Sequence, residues 1–299
     1  MELTYRAFGL TLGSELALPG LPTADDQPDV RILRGQIPVW DGEPIVQYGE
    51  RFRIRGQECL IHFAAHSFTG YVTNGDQIRF ECDPALDQIA GLHVMGSCTG
   101  ALLFQRGMIP IHGNTITTPK GTFMVVGRIG TGKSTTTMAL LRRGHRLLAD
   151  DISPVSFDTR ETRIIPGFPR LKLWKSTLEQ FGLDCESFQR VRPGLDKFHC
   201  PVNEQFCPEP RKLDAVYVLQ PGDSPDVKIT PLSGIQRLEG LRAHLYKIRF
   251  RDAVRNWPPV LAKACRLADA VQVNIVERPA NQMTIETVAE AIEQDFFRR

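Results

Sequence analysis

Residues 127–151 read GRIGTGKSTTTMALLRRGHRLLADD, and this stretch decides the fold. Its first eight residues fit G-x-x-x-x-G-K-[ST], with Gly127, Gly132, Lys133 and Ser134 in the defining places and Arg128, Ile129, Gly130 and Thr131 between them. The apolar run TFMVV precedes the pattern, and STTTMALLRRG, opening at Ser134 and Thr135, follows it with helical spacing. Glycines let the backbone curl so that its N–H groups converge on phosphate oxygens, and the N-terminus of the following helix adds partial positive charge. The stretch therefore predicts a cradle for a nucleoside triphosphate, with the preference between ATP and GTP left open. Lys133 would reach the β- and γ-phosphates, and the Ser134 hydroxyl would join the shell of a Mg²⁺ ion.

Seventeen positions separate Lys133 from Asp150. A helix over about 134–143 rises roughly 15 Å, Gly144 stops it, and HRLLA can return as a strand beside the first. In a strand–helix–strand unit the two strands point the same way, so their carboxyl ends share one sheet edge. Asp150 and Asp151 are thereby expected near the cradle. Adjacent strand residues face opposite ways, so one acid can serve Mg²⁺ while the other faces an incoming nucleophile. The bland alternative is that the pair opens a turn.

Upstream, MIPIHGNTITTPKGTFMVVG (108–127) reads as two β-rich runs around the turn TPKG. With Pro119 and Lys120 at the turn centre, His112 faces Gly127. An imidazole there can hydrogen-bond Asp150 and help it accept a hydroxyl proton. His62, His66, His93, His145, His199 and His244 show no ligand spacing and read as structural.

Residues 1–85 carry short β-type runs (DVRILRG, RFRIRG, GYVTNGDQIRFEC) with turn residues between them, which predicts hairpins of an antiparallel sheet with its clearest turn at 73–76. From residue 83 the spacing turns helical, with Asp83 as cap, Pro84 at the first helical position and Ile89, Leu92, Met95 and Leu102 near one face. A boundary near residue 85 therefore separates a β-rich N-terminal subdomain (1–85) from the domain of residues 86–299. That subdomain carries no chemical motif, and two roles stay open for it: pairing with an acceptor peptide through a strand edge, or covering the core. Beyond residue 152, FPRLKLW, LDAVYVLQP and VQVNIVERP read as strands. STLEQFG, GIQRLEGLRAHLYK and MTIETVAEAIEQDFF read as helices, and the Pro-rich pieces near 193–210 as a long loop. The whole is of α/β class.

Lys plus Arg number 36 against 34 Asp plus Glu, and a net charge of +2 gives no reason to expect nucleic acid or an acidic membrane as partner. Seven cysteines without a Cys-x-x-Cys pair signal neither zinc nor a disulfide framework. An early acid and the absence of a long apolar run at the N-terminus, with no stretch near the roughly 18 apolar residues of a membrane span, make a cytoplasmic location the expectation. A homo-oligomer is compatible with the sequence, which does not decide the point.

PIHGNTI, GRIGTGKST and RRGHRLLADD, taken together, resemble HPr kinase/phosphorylase and its relatives of the phosphoenolpyruvate carboxykinase-like P-loop fold. The resemblance implies Lys133 on phosphate, Ser134 and Asp151 around Mg²⁺, Asp150 as base toward a protein hydroxyl, and His112 supporting that base. The Glu-Ile-Arg-Gly-Leu-Gly signature of the bifunctional enzyme has no counterpart after Asp151, where IIPGFPRLKLW stands. YRAFGLTLGSELALPGLP, RLKLW and PLSGIQRL look more like the shorter HPr-kinase-like proteins, some of which phosphorylate a serine of lasso-peptide precursors. The implied partner is thus a peptide or protein bearing a Ser hydroxyl. Arg170, Lys172, Arg192 and Lys197 are the downstream cations from which a further contact to the γ-phosphate or the substrate would come. A carboxykinase-like enzyme of small metabolites and a nucleotide-dependent peptide-binding module are the competing readings.

Overall fold

The computed structural model describes residues 2–39, 46–48, 52–158, 161–246, 258–279 and 285–299. Arg51, Lys247 and residues 283–284, at the ends of three expected elements, lie outside them. The chain is a mixed α/β protein with several sheets. It divides into two compact units, Met1–Pro110 with Tyr246–Leu261 and Ile111–Leu245 with Ala262–Arg299. The expected divide at residue 85 falls within the first, where its helical segment begins.

The first unit holds β1 (Leu3–Ala7), β2 (Leu10–Ser14), β3 (Val30–Arg34), β4 (Val46–Tyr48), β5 (Phe52–Arg55), β6 (Glu58–Phe63), β7 (Phe68–Thr73) and β8 (Gln77–Glu81) in one sheet. The order is β1-β2-β3-β8-β7-β6-β5-β4. Asn74 and Gly75 adopt φ of 53° and 71° in the turn between β7 and β8, where TNGD predicted one. The sheet is mixed, however, not antiparallel: β3 runs parallel to both β2 and β8. The cause is the connection over residues 15–29, too long for a hairpin, which returns β3 in the same direction as β2.

A 3₁₀ turn (Pro84–Leu86), α1 (Asp87–His93), a π-helical turn (Val94–Cys98) and α2 (Thr99–Gln105) follow without a break. The Asp83 carboxylate accepts from the Ala85 amide at 2.9 Å, as its capping role requires. Ala90, Val94, Cys98, Leu102 and Leu103 are fully buried, while Ile89, Leu92 and Met95 are half-buried. The π turn adds a residue to the helical repeat and so shifts the buried stripe from the predicted one.

The chain passes through β9 (Ile109–Ile111) into the second unit. There β10 (Gly113–Thr118), β11 (Gly121–Gly127), α3 (Lys133–Arg142) and β12 (Arg146–Ala149) build the region around the cradle sequence. β13 (Ser153–Ser156), β14 (Arg163–Ile164), β15 (Arg170–Trp174), α4 (Lys175–Gln180), β16 (Gln189–Arg190), β17 (Lys197–Pro201) and β18 (Arg211–Lys212) follow. The chain ends with β19 (Ala215–Gly222), β20 (Lys228–Pro231), α5 (Ile235–Arg242), α6 (Pro258–Ala270), β21 (Gln272–Pro279) and α7 (Ile285–Phe297).

The central sheet has the order β12-β10-β11-β19-β21-β20, with β11, β19 and β21 parallel. Gly113 faces Val126 and Thr118 faces Gly121, the register expected from the turn at Pro119 and Lys120. β12 does not lie beside β11 as the strand–helix–strand reading predicted. The β10–β11 hairpin occupies that edge of β11, so β12 pairs antiparallel with β10 instead. Two antiparallel steps still leave β11 and β12 pointing the same way, and their carboxyl ends share an edge. Ile116, Phe123, Val125, Leu140, Leu147, Tyr217, Val288 and Ile292 form the apolar core that joins this sheet to α3 and α7.

The Pro-rich region near 193–210 is not a long loop. It contains β17, which pairs antiparallel with β15 and carries β16 on its other side. Phe198 and Cys200 are buried by this pairing, an alternation too short to recognise between prolines. Among the described residues no helix is long and apolar enough to cross a membrane.

Candidate active site

β11 delivers the chain to Gly127 and α3 receives it at Lys133. Gly132, immediately before the helix, has φ of 95°, a left-handed conformation that a side chain would strain. The loop between is held by its own bonds and by one outside side chain. Thr131 Oγ1 donates to the Arg128 carbonyl at 2.8 Å, and Arg278 Nε donates to the Thr131 carbonyl at 3.0 Å. Lys133 is buried, with Nζ donating to the carbonyls of Gly127 (2.8 Å) and Arg128 (3.1 Å). Burial lowers its pKa, and the nearby Asp151 charge pulls the other way. Arg128, Ile129 and Gly130 are exposed at the tip, and Ser134 and Thr135 are half-buried at the start of α3.

Asp150 and Asp151 stand just past the end of β12, at the same sheet edge. Their separation does not come from strand alternation. The chain turns sharply here, with the Ile152 amide donating to the Asp150 carbonyl at 2.7 Å and Asp151 at φ of 68°. Lys172 bridges the pair: its amide donates to Asp150 Oδ2 at 3.0 Å and its Nζ to Asp151 Oδ2 at 2.8 Å. His112 Nδ1 lies 3.1 Å from Asp151 Oδ1 and 3.0 Å from the Asp151 carbonyl oxygen. The imidazole thus reaches the expected neighbourhood but meets Asp151, whereas Asp150 was its expected partner. The turn is the reason, because it brings the second acid back over the end of β10.

Gly113 follows His112 for a steric reason. A Cβ there would stand 2.7 Å from Val126 Cγ1 and 2.8 Å from the Val125 carbonyl oxygen. Asn114, next along β10, is buried and joins helix to turn. Its Nδ2 donates to Thr137 Oγ1 of α3 at 3.0 Å, and its Oδ1 accepts a long bond of 3.4 Å from the Asp151 amide. The His112 amide donates to the His244 carbonyl at 2.7 Å.

The two acids are driven apart electrostatically. Burial, and then the charge of Asp151, push the Asp150 carboxyl up to about 6, against the pull of Lys172 and Lys197. Burial acts on Asp151 too, but the Lys172 ammonium and His112 outweigh it and hold that carboxyl well below its usual range. At neutral pH Asp151 is a firm anion, while Asp150 can both take and release a proton.

A cationic face adjoins them. Along β15, Arg170, Lys172 and Trp174 alternate with buried Leu171 and Leu173, and along β17, Lys197 and His199 alternate with Phe198 and Cys200. Lys172 pairs across the strands with His199, and Trp174 with Lys197, so these residues share one face. Lys197 Nζ stands 5.5 Å from the centre of the Trp174 ring, and the Arg170 guanidinium 4.7 Å from that of Phe168. Burial lowers the Arg170 pKa to about 10, with Asp150 and Asp151 opposing. Burial, followed by the charges of Arg170, Lys172 and Lys197, pushes His199 down to about 3. Its Nδ1 is buried and has no hydrogen-bond partner among the described residues. Arg192, the fourth expected cation, is exposed in the turn before β17, where its carbonyl accepts from the Leu195 amide. It does not join the acids.

Sequence reasoning passed over Asn114 and Arg278, and read His199 and His244 as structural. His244 is pushed down to about 4, by burial first and then by Lys133, His112 and Arg128. Only Asn114 had a local signal, standing two residues after His112 in a strand whose register was readable. Among the described residues no three His, Cys, Asp or Glu side chains gather to hold a metal ion. Mg²⁺ asks for less when phosphates and waters complete its shell, one or two carboxylates being usual. The ionised Asp151 and the Ser134 hydroxyl fit that demand.

No family model matches the chain, and no curated protein matches it. Among solved structures it is similar to the HPr(Ser) kinase/phosphatase from Coxiella burnetii, over 63% of this chain and 91% of that one. The likeness is distant. Sequence identity is 10% and the TM-score 0.34.

Proposed function

We propose that the protein transfers the γ-phosphoryl group of ATP, with Mg²⁺, to a serine hydroxyl of a peptide or protein, as a kinase of the P-loop, HPr-kinase-like type. The observation that carries the reading is the meeting, on one sheet edge, of a glycine loop bearing a buried lysine with two acids in unlike electrostatic states. Gly127 to Thr135 would cradle the phosphates through backbone amides. Lys133, which now donates to the loop's own carbonyls, would exchange them for phosphate oxygens. Mg²⁺, when bound beside Ser134 and Asp151, would offset the charge of the β- and γ-phosphates. His112 and Lys172 keep Asp151 ionised and oriented. In the transfer, the serine oxygen forms its bond to the γ-phosphorus as the bond to the ADP oxygen breaks, and its proton passes to Asp150. A carboxyl titrating near 6 suits that task, which supports Asp150 as the base and Asp151 as the metal acid.

The finer assignment, to a serine of a lasso-peptide precursor, rests on the sequence resemblance alone. Incubating the protein with Mg·ATP and candidate peptides, with mass spectrometric detection of phosphopeptide, tests it. Asp150→Asn should leave nucleotide binding in place while transfer falls by about 10²- to 10⁴-fold. A near-normal rate in that variant would remove Asp150 from the role of base. Labelled metabolites in place of peptide would reveal a small-molecule phosphotransferase, and ATP binding without any phosphoryl transfer would identify a peptide-binding module.

A further inference from the structure

We propose that His199 contacts substrate, its Nδ1–H donating to an oxygen of a phosphoryl group seated on the β15–β17 face among Arg170, Lys172 and Lys197. This deepens the reading of the site as a centre of phosphoryl transfer and rests on it.

Placement is the first argument. The register sets His199 directly across from Lys172, the residue whose amide and ammonium hold both acids. The imidazole therefore stands one strand away from the reacting edge, on the face that carries the three cations. The second argument is the state of the ring. Native proteins rarely leave a buried polar atom without a partner, and such an atom marks a bond supplied by something else. His199 Nδ1 is such an atom among the described residues.

The sign of the neighbours then selects the ligand. Three cationic side chains attract an anion, and the outer oxygens of a phosphoryl group only accept hydrogen bonds. Nδ1 must accordingly be the protonated nitrogen of a neutral ring. Burial, and then the charges of Arg170, Lys172 and Lys197, oppose a second proton, so His199 contributes a directed donor without more charge. The phosphoryl group could be the γ-phosphoryl of the nucleotide or one carried by the acceptor, and the chemistry of the contact is the same.

The test uses the full chain with labelled histidine, the His199 ring signals being assigned by their loss in His199→Asn. Inorganic phosphate, ADP and a non-hydrolysable ATP analogue are titrated in turn. The expected result is a saturable movement of the His199 signals with phosphate. Movement with the analogue but not with ADP assigns the γ-phosphoryl; movement with phosphate alone assigns an acceptor-borne group. His199→Leu should weaken phosphate binding by about tenfold, and His199→Asn, whose amide nitrogen stands near the Nδ1 position, by no more than about threefold. ADP affinity should be alike in all three proteins, which also shows that the variants fold. Signals that stay still while other resonances saturate with phosphate, or Leu and Asn variants that behave alike, would overturn the proposal. A His199 that responds to phosphate in a protein that binds no ATP analogue would leave the anion site standing and remove the kinase reading.

Discussion

The glycine loop and the β15–β17 face stand beside the same two acids but are built by different means. The loop works with backbone: its groups are fixed by Gly132 in a left-handed conformation, by Thr131 bonded to Arg128 and by Arg278 bonded to Thr131. The face works with side chains, alternating Arg170, Lys172 and Trp174 outward against Lys197 and His199. A backbone cradle depends on a contiguous pattern that cannot vary much. A side-chain face depends on which strands pair, and any alternating segment can supply it. The loop should accordingly be responsible for holding nucleotide, and the face for setting the acids and receiving the transferred group.

The sharpest way to break that division is Lys133→Ala. The variant should bind ATP and ADP more weakly by on the order of a hundredfold, because a buried charge-assisted contact to phosphate is lost. Isothermal titration with both nucleotides measures it. Unchanged affinities would show that the loop is not the cradle.

Lys172→Met addresses the other side. It removes the ammonium from Asp151 while leaving the amide bond to Asp150 in place. Transfer should fall by about tenfold with ADP affinity kept. Loss of ADP affinity to the same extent as in Lys133→Ala would merge the two regions into one. Asn114→Ala has a smaller catalytic reach, since it touches neither ligand directly, and leaves the Thr137 hydroxyl and the Asp151 amide without their shared partner. Chemical denaturation should register a loss of about 1–3 kcal/mol.

The same contrast explains what could be read from the amino acids alone. The loop, the acids and the register of His112 were legible because each is set by neighbours within about twenty positions. Gly144 stops the helix and Pro119 with Lys120 fixes the hairpin. The partner of β12 was not legible, since inserting β10 beside β11 or leaving that edge open changes no local pattern. Nor was β17, five residues ending on Pro201, whose pairing with β15 is a matter of tertiary contact. His199 read as structural for that reason: its cross-strand partner, Lys172, stands 27 positions earlier. The turn at Asp151 also overrode the strand alternation expected to separate the acids, and moved His112 from one carboxylate to the other.

The mildest test asks whether the two acids really lie in unlike states before any ligand arrives. Asp150 is raised in the folded protein to about 6 from an ordinary value of 3.8. The folded chain therefore holds this proton more tightly than the unfolded chain does. That contribution to stability is fully present below about pH 4 and is lost as pH rises through the folded value. Asp151 has the opposite sign: its depressed carboxyl contributes stability above about pH 4 that is lost as pH falls through its folded pKa. Asp150→Asn keeps an oxygen for the Lys172 amide but cannot ionise. In protein free of nucleotide and Mg²⁺, its melting temperature should exceed that of the wild type above pH 6 and match it near pH 4. A variant equally stable or less stable than the wild type at pH 8 would mean that Asp150 ionises without penalty. Asp150 would then lose the raised carboxyl that supports it as the base, while Lys172 and His112 would still hold Asp151 ionised.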